Sequence, residues 1–281
     1  MTEQILTREQ LTLFGTFLHE AECSKETIKK YMRDVHRFYD FLGEDKVYNK
    51  ENIISYKQYL KEHYKPSSAN SMLAALNRML DWMGVAELKV KGFKNQRQIF
   101  CQSEKYLSIE EYTRIVEAAK KQGDERLALI LQTICGTGIR VSELVYITVE
   151  AVQNGRAVVS GKGKNRTIFI SKKLQKYLQN YCRKRKIKKG SIFITSSGKP
   201  IDRSNIWSAM KGLCEAAKVL KEKVFPHNLR HLFARTCYRQ SKDIVYLADI
   251  LGHSSVETTR IYTISSGLEH EQMIERMRLI L

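Results

Sequence analysis

Proline is scarce, with 3 in 281 residues, and the 6 cysteines (Cys23, Cys101, Cys135, Cys182, Cys214 and Cys237) are scattered along the chain. No Cys-x-x-Cys pair occurs and no histidine stands at ligand spacing from a cysteine, so neither a zinc site nor a disulfide framework is indicated. No apolar run approaches the roughly 20 residues of a membrane helix, and the opening MTEQILTREQ is polar and mixed in charge, unlike a secretion signal. Internal repeats and low-complexity tracts are also missing. A reduced, cytoplasmic protein without membrane contact is expected.

Acidic residues are the minority, 30 against 48 Lys and Arg, which gives a formal charge of +18. The imbalance is local: residues 1–100 carry 16 basic and 13 acidic residues, and the remainder carries 32 and 17. A positive field of this size draws polyanions, nucleic acid above all, by counterion release and long-range steering. Association with the nucleoid is the expectation, with membrane lipid and ribosomal RNA the other polyanions that such a field would draw.

With 43% hydrophobic residues, the chain is long enough for two domains. Ser24 can cap a helix in which Ile28, Tyr31, Met32, Val35, Phe38, Tyr39 and Leu42 recur at three- and four-residue spacing. Its other side carries Lys25, Lys29, Arg33 and Arg37, a stripe suited to a phosphate backbone. Two more helices are expected at 50–64 and 69–82. Periodicity fades through KVKGFKNQRQ, a basic, exposed stretch. Helices are then expected at 108–121 and 126–135, a hairpin at 157–170 around GKGKNR, a strand at 192–195, and helices elsewhere. The fold class is mainly α with a small β-hairpin (α+β): a helical domain at 1–86, a linker at 87–104 and a mixed, mostly helical domain at 105–281.

Four segments of the second domain carry matching chemistry. In Cys135-Gly-Thr-Gly-Ile-Arg140-Val-Ser-Glu143, a glycine-bounded turn leads into a helix and puts an arginine at its start. That end of a helix is already positive, so an anion there would resolve the conflict, with Glu143 holding the guanidinium in aim. Gly161-Lys162-Gly-Lys164-Asn-Arg166 puts lysines at a hairpin tip, able to enter a groove. Pro226-His227-Asn-Leu-Arg230-His231, if helical, sets two histidines and an arginine on one face. Finally, in Leu251-Gly-His253-Ser254-Ser-Val-Glu257-Thr-Thr-Arg-Ile-Tyr262, Ser254 and Glu257 have capping-box spacing, which would start a helix after His253 and carry Tyr262 two turns along it.

Two arginines, a lysine, histidines and a phenol, with no carboxylate pair for a metal, fit phosphoryl transfer to an oxygen nucleophile without Mg²⁺ or another cofactor. The arginines would clamp the non-bridging oxygens of a phosphodiester and offset charge growing in the transition state. The phenol would attack, a neutral histidine would accept its proton, and Lys162 is the candidate acid for the leaving 5′ oxygen.

The order Arg140, Lys162, His227-x-x-Arg230, His253 and Tyr262, set in TGIRVSEL, GKGKNR, HNLRH and LGHSSVETTRIYT, resembles the tyrosine recombinases, or phage-type integrases, over nearly the whole chain. The layout is similar to the compact Xer type. The resemblance implies a site-specific recombinase acting through a covalent 3′-phosphotyrosyl intermediate, for integration and excision of an element or for Xer-like dimer resolution. In it, Arg140 and Arg230 bind the phosphate, Lys162 is the acid, His227 the base or a hydrogen-bond partner, His253 a further phosphate contact and Tyr262 the nucleophile. Glu143 and His231 are accessory, and Lys25, Lys29, Arg33, Arg37, Lys164 and Arg166 are candidate DNA contacts. Double-stranded DNA is the expected partner, with a homo-tetramer in the synaptic complex and a monomer or weak oligomer when free. Residues 268–281, with an apolar face from Leu268, Met273, Ile274, Met277 and Leu281, would pack back on their own domain or, as the resemblance implies, dock in a neighbouring subunit. Type IB topoisomerase-like relaxation and non-catalytic DNA binding are the competing readings.

Overall fold

The computed structural model describes residues 4–94, 105–161, 164–262 and 275–277, and the chain divides into two compact units, 1–97 and 98–281. Unit 1 packs four helices: α1 (Arg8–Glu20), α2 (Lys25–Phe41), α3 (Lys50–His63) and α4 (Pro66–Trp82). Each start is chemically marked. Thr7 and Gln10 form a reciprocal capping box on α1, Ser24 and Asn49 accept backbone N–H groups on α2 and α3, and Pro66 opens α4, where its missing N–H costs nothing. The core between them is Leu11, Phe14, Val35, Phe38, Leu60, Leu73 and Leu80.

The expectation of an all-helical first domain needs one correction. Strands β1 (Gln4–Ile5) and β2 (Val47–Tyr48) pair antiparallel, fastened by the Tyr48 hydroxyl donating to Gln4 Oε1 at 2.6 Å. In the basic stretch after α4, Lys89, Lys91 and Lys94 are exposed, but the backbone is tied down as far as residue 93. Asn77 Nδ2 donates to the Val90 carbonyl and Asn70 Nδ2 to that of Phe93, both at 2.9 Å, and Val90 is buried. Two side-chain amides thus replace the partners that a helix or strand would supply.

Unit 2 is built around α5 (Ile109–Lys121), α6 (Glu125–Thr137), α7 (Val149–Asn154) and α8 (Lys172–Arg185), with the hairpin β3 (Arg156–Gly161) and β4 (Lys164–Phe169) between α7 and α8. It continues through α9 (Arg203–Gly212), α10 (Cys214–Ala217), α11 (Pro226–Ser241), α12 (Ile244–Leu251) and α13 (Val256–Thr259). The strand expected at 192–195 does not form. Ile192 and Phe193 are apolar because they fill the core, while the backbone turns back at once: Thr195 N–H donates to the Lys199 carbonyl at 2.8 Å, and the pairing is limited to isolated bridges, Ser191 to Thr148 and Ile194 to Pro200.

Candidate phosphodiester site

The site in unit 2 grows from the ends of helices. α6 stops at Gly138, whose φ of +65° is the left-handed conformation that glycine adopts without strain, and a Cβ there would meet Phe233 Cδ1 at 2.4 Å. The chain leaves extended, and Arg140 becomes the N-cap of a 3₁₀ helix, Val141–Tyr146, rather than the first turn of an α-helix. Glu143 folds back on it, accepting the Arg140 backbone N–H at 2.9 Å and Arg140 Nη1 at 3.0 Å.

Glu143 has a second partner that the sequence spacing does not reveal. Arg166, from β4, donates Nη1 and Nη2 to its two oxygens at 2.9 and 2.5 Å, and both side chains are mostly buried. Burial alone would raise the Glu143 pKa, but the hydrogen bonds and charge of Arg166 and the Arg140 backbone outweigh it, so the net shift is downward and the carboxylate stays ionised. The guanidinium of Arg166, a candidate DNA contact, braces Glu143. Lys162 lies outside the described residues, and the side chain of Lys164 is likewise not described.

α11 starts at Pro226 as expected and carries His227, Arg230 and His231. Arg230 is 1% exposed. It donates Nη1 to the Gly138 carbonyl and Nη2 to the Leu251 carbonyl at 2.8 Å, which are groups at the C-terminal ends of α6 and α12. Those ends carry unsatisfied carbonyls and partial negative charge, so they hold a cation well. Burial first, then the charge of Arg140, push the Arg230 pKa down to about 10, so it remains a cation at neutral pH.

α12 ends at Gly252, again left-handed at φ +63°. The next helix is capped by Ser255, not Ser254: the Ser255 hydroxyl accepts the Glu257 N–H at 3.2 Å. Both serines can cap, and the left-handed turn at Gly252 decides which one faces the helix. α13 runs into a 3₁₀ turn, Arg260–Tyr262, which places Tyr262 two turns on, as expected.

His253 Nε2 faces Arg230 Nη2 at 3.2 Å and its Nδ1 faces Thr259 Oγ1 at 2.8 Å. With an arginine donating to Nε2, the ring proton belongs on Nδ1, donated to Thr259. Burial, then Arg230, Arg140 and Arg166, push its pKa down to about 4, so it is neutral near pH 7. Tyr262 lies 3% exposed against Ala234, Leu247 and Leu251, with its ring stacked on His253 at 6.0 Å between centroids. His227 reaches solvent, yet partial burial followed by Arg230 and Arg140 holds its pKa below the ordinary histidine value.

The structure therefore brings Arg140, Glu143, His227, Arg230, His231, His253 and Tyr262 to one end of unit 2. The stripe Lys25, Lys29, Arg33 and Arg37 is exposed along α2 in unit 1, with Arg33 reaching Asp34 at 3.3 Å and Arg37 over the Tyr64 ring at 5.8 Å. Thr259, which is fully buried, went unnoticed in the sequence; a threonine in a polar run gives no sign of its histidine partner. A cavity of about 610 Å³ lies elsewhere, lined by Lys120, Gln132, Tyr177 and Arg183, and contains none of the motif residues. Among the described residues no three His, Cys, Asp or Glu side chains gather as metal ligands, and no helix is long and apolar enough to cross a membrane.

The model of the Phage integrase family matches residues 105–267. Tyrosine recombinase XerA of Pyrococcus furiosus is 30% identical over 288 residues, covering 100% of this chain and 98% of that protein. The crystal structure of a XerA recombinase aligns with a TM-score of 0.54 at 27% identity, over 98% of this chain and 100% of the other. A lambda integrase dimer bound to a COC′ core site shares the fold, with a TM-score of 0.72 at 18% identity over 91% and 94% of the two chains. With the family model spanning more than half of the chain and a relative matching all of it, the chain belongs to the phage integrase family, the site-specific tyrosine recombinases.

Proposed function

We propose that the protein cleaves and rejoins double-stranded DNA at a pair of target sites through a phosphotyrosyl intermediate, using the residues gathered above. Tyr262 Oη attacks the scissile phosphorus and forms the new P–O bond, the 5′ oxygen leaves, and the phosphodiester energy is kept in the 3′-phosphotyrosine for rejoining. The phenol proton passes to a neutral histidine, with His227 as the acceptor. Lys162 returns a proton to the 5′ oxygen. Arg140 and Arg230 hold the non-bridging oxygens as charge grows on them. Once DNA draws His253 from Arg230, its ring proton moves from Nδ1 to Nε2, which donates to the same phosphate while the Thr259 hydroxyl donates to Nδ1.

The observation that carries this reading is the grouping of Arg230, His253 and Tyr262: a buried, fixed cation and a neutral imidazole beside a phenol. Because Tyr262 and Arg230 are both nearly inaccessible, DNA engagement has to open the surface over them before attack. The exposed stripe on α2 supplies phosphate contacts for a clamp, and the work takes place in the cytoplasm on the nucleoid. Four protomers join two sites, as in the neighbouring structure described as a lambda integrase tetramer bound to a Holliday junction. The tail invoked for that contact, 268–281, lies outside the described residues except for 275–277, where Met277 is 55% exposed.

Replacing Tyr262 with Phe is the test. With a nicked target duplex that traps cleavage, the wild-type protein gives SDS-resistant adducts and Tyr262→Phe gives none while keeping its DNA affinity. Adducts from the Phe variant would remove Tyr262 from the role of nucleophile, and site-independent relaxation of supercoils by the wild type would favour a topoisomerase.

A further inference from the structure

His231 has no part in the steps above, yet three rings close on it. Its centroid lies 4.6 Å from that of Tyr262 at an interplanar angle of 63°, 4.9 Å from Tyr106 at 47° and 4.9 Å from His227 at 82°. It is 8% exposed, and its buried Nδ1 has no hydrogen-bond partner. Such an orphan costs about 1–3 kcal/mol, which an apolar residue of similar size would avoid. A residue held at that cost beside a reacting group calls for an explanation at the site.

Tyr262 needs outside support. It ends a single 3₁₀ turn after a four-residue helix; Ala234, Leu247 and Leu251 beside it are aliphatic and set no ring plane, and the stacked His253 ring stands off at 6.0 Å between centroids, against 4.6 Å for His231. An edge-to-face ring partner does set one. Tyr106, in turn, is fastened to α11 itself: Arg235 lies over its ring at 5.4 Å, and Asn228 Nδ2 holds the preceding carbonyl, that of Lys105, at 3.1 Å.

We propose that His231 is a positioning residue for the nucleophile: its ring, backed by Tyr106, fixes the plane in which the Tyr262 phenol stands beside Arg230. The inference rests on Tyr262 being the nucleophile. The imidazole does this as a neutral ring. Burial, then His227, Arg235 and Arg230, push its pKa down to about 4, and the remaining rings facing it are those of Tyr106 and Tyr262.

The experiment measures the rate of adduct formation at saturating nicked duplex, together with the Kd for that duplex, in wild type, His231→Leu, His231→Phe and Tyr106→Leu. Loss of the ring in His231→Leu lowers the rate about tenfold to a hundredfold with Kd unchanged, since small misplacements of a reacting group cost that much. His231→Phe keeps a ring and recovers most of the rate, and its rate profile between about pH 5.5 and 9 superimposes on wild type because no proton of His231 is used. Tyr106→Leu, at a half-exposed position, lowers the rate in the same direction and keeps the proposal testable if His231→Leu does not fold. Wild-type rates in both leucine variants overturn it. So does a Phe variant as slow as the Leu variant, or one whose acid limb shifts, either of which assigns the role to the nitrogen. Adducts from wild type and none from Tyr262→Phe, run in parallel, keep failure here separate from failure of the nucleophile assignment.

Discussion

Gly252 and Arg166 touch in a way that only glycine permits. A Cβ on Gly252 would lie 2.3 Å from Arg166 Cδ, and the residue's φ of +63° already disfavours a side chain. The arginine that steadies Glu143 therefore passes directly across the turn that delivers His253. Gly252→Ala is expected to lose roughly 1–3 kcal/mol from backbone strain and to slow strand cleavage about tenfold or more by displacing Arg166 and Glu143. Gly190→Ala, at φ +75° with nothing within 4 Å, is the matched control: it carries the same strain and leaves cleavage intact. Thermal unfolding and adduct formation on both variants separate the two effects, and equal cleavage would refute the contact.

Glu143→Gln removes the one carboxylate that Arg140 and Arg166 share. Arg166 is left largely buried without its counter-charge, and the expected loss is on the order of 2–4 kcal/mol. Removing the stranded charge as well, in Glu143→Gln with Arg166→Gln, restores much of the stability and none of the cleavage. If the double variant melts no higher than the single one, the pair is not what stabilises this corner.

His231 and His253, both with pKa values pushed down to about 4, make the protein acid-sensitive. Their ordinary value is near 6.5, so between pH 6.5 and 4 the unfolded chain binds more protons than the folded one, and stability falls as pH falls through that window. His231 alone would contribute on the order of 2–3 kcal/mol. The melting temperature should be level from pH 7 to 8 and decline below pH 6.5, and His231→Phe should flatten part of the decline. A melting temperature independent of pH down to 4.5 would contradict the neutral-histidine assignments.

Arg140 and Arg230 serve one phosphate but sit differently in the fold. Arg140 has 40% of its side chain exposed, whereas Arg230 is 1% exposed and tied to two helix ends. Both alanine variants should lower cleavage about a hundredfold to a thousandfold, far more than they weaken DNA binding. Only Arg230→Ala should also lower the melting temperature markedly. Equal losses of affinity and cleavage would place either residue in general DNA binding.

Much of this could be read from residue order because the signals were local. Ser24 announces its helix by capping, and His227, Arg230 and His231 share a face once Pro226 starts a helix. The misreadings come from partners remote in sequence. Nothing near Arg166 in the sequence points to its partner Glu143, 23 residues earlier. Ile192 and Phe193 carry the apolarity of a strand but spend it on the core. Ser254 and Ser255 are chemically interchangeable, and only the geometry after Gly252 separates them. Thr259 needed the position of His253, which no spacing rule supplies.

Arg230 closes the C-terminal ends of α6 and α12 from a third helix, and the consequence is thermal. A side chain that floats in a pocket can lose its aim while the fold persists, so activity fades well before melting. Here the guanidinium cannot swing free unless two helix ends fray. Inactivation by heat should therefore coincide with the melting of unit 2 itself, as one cooperative event.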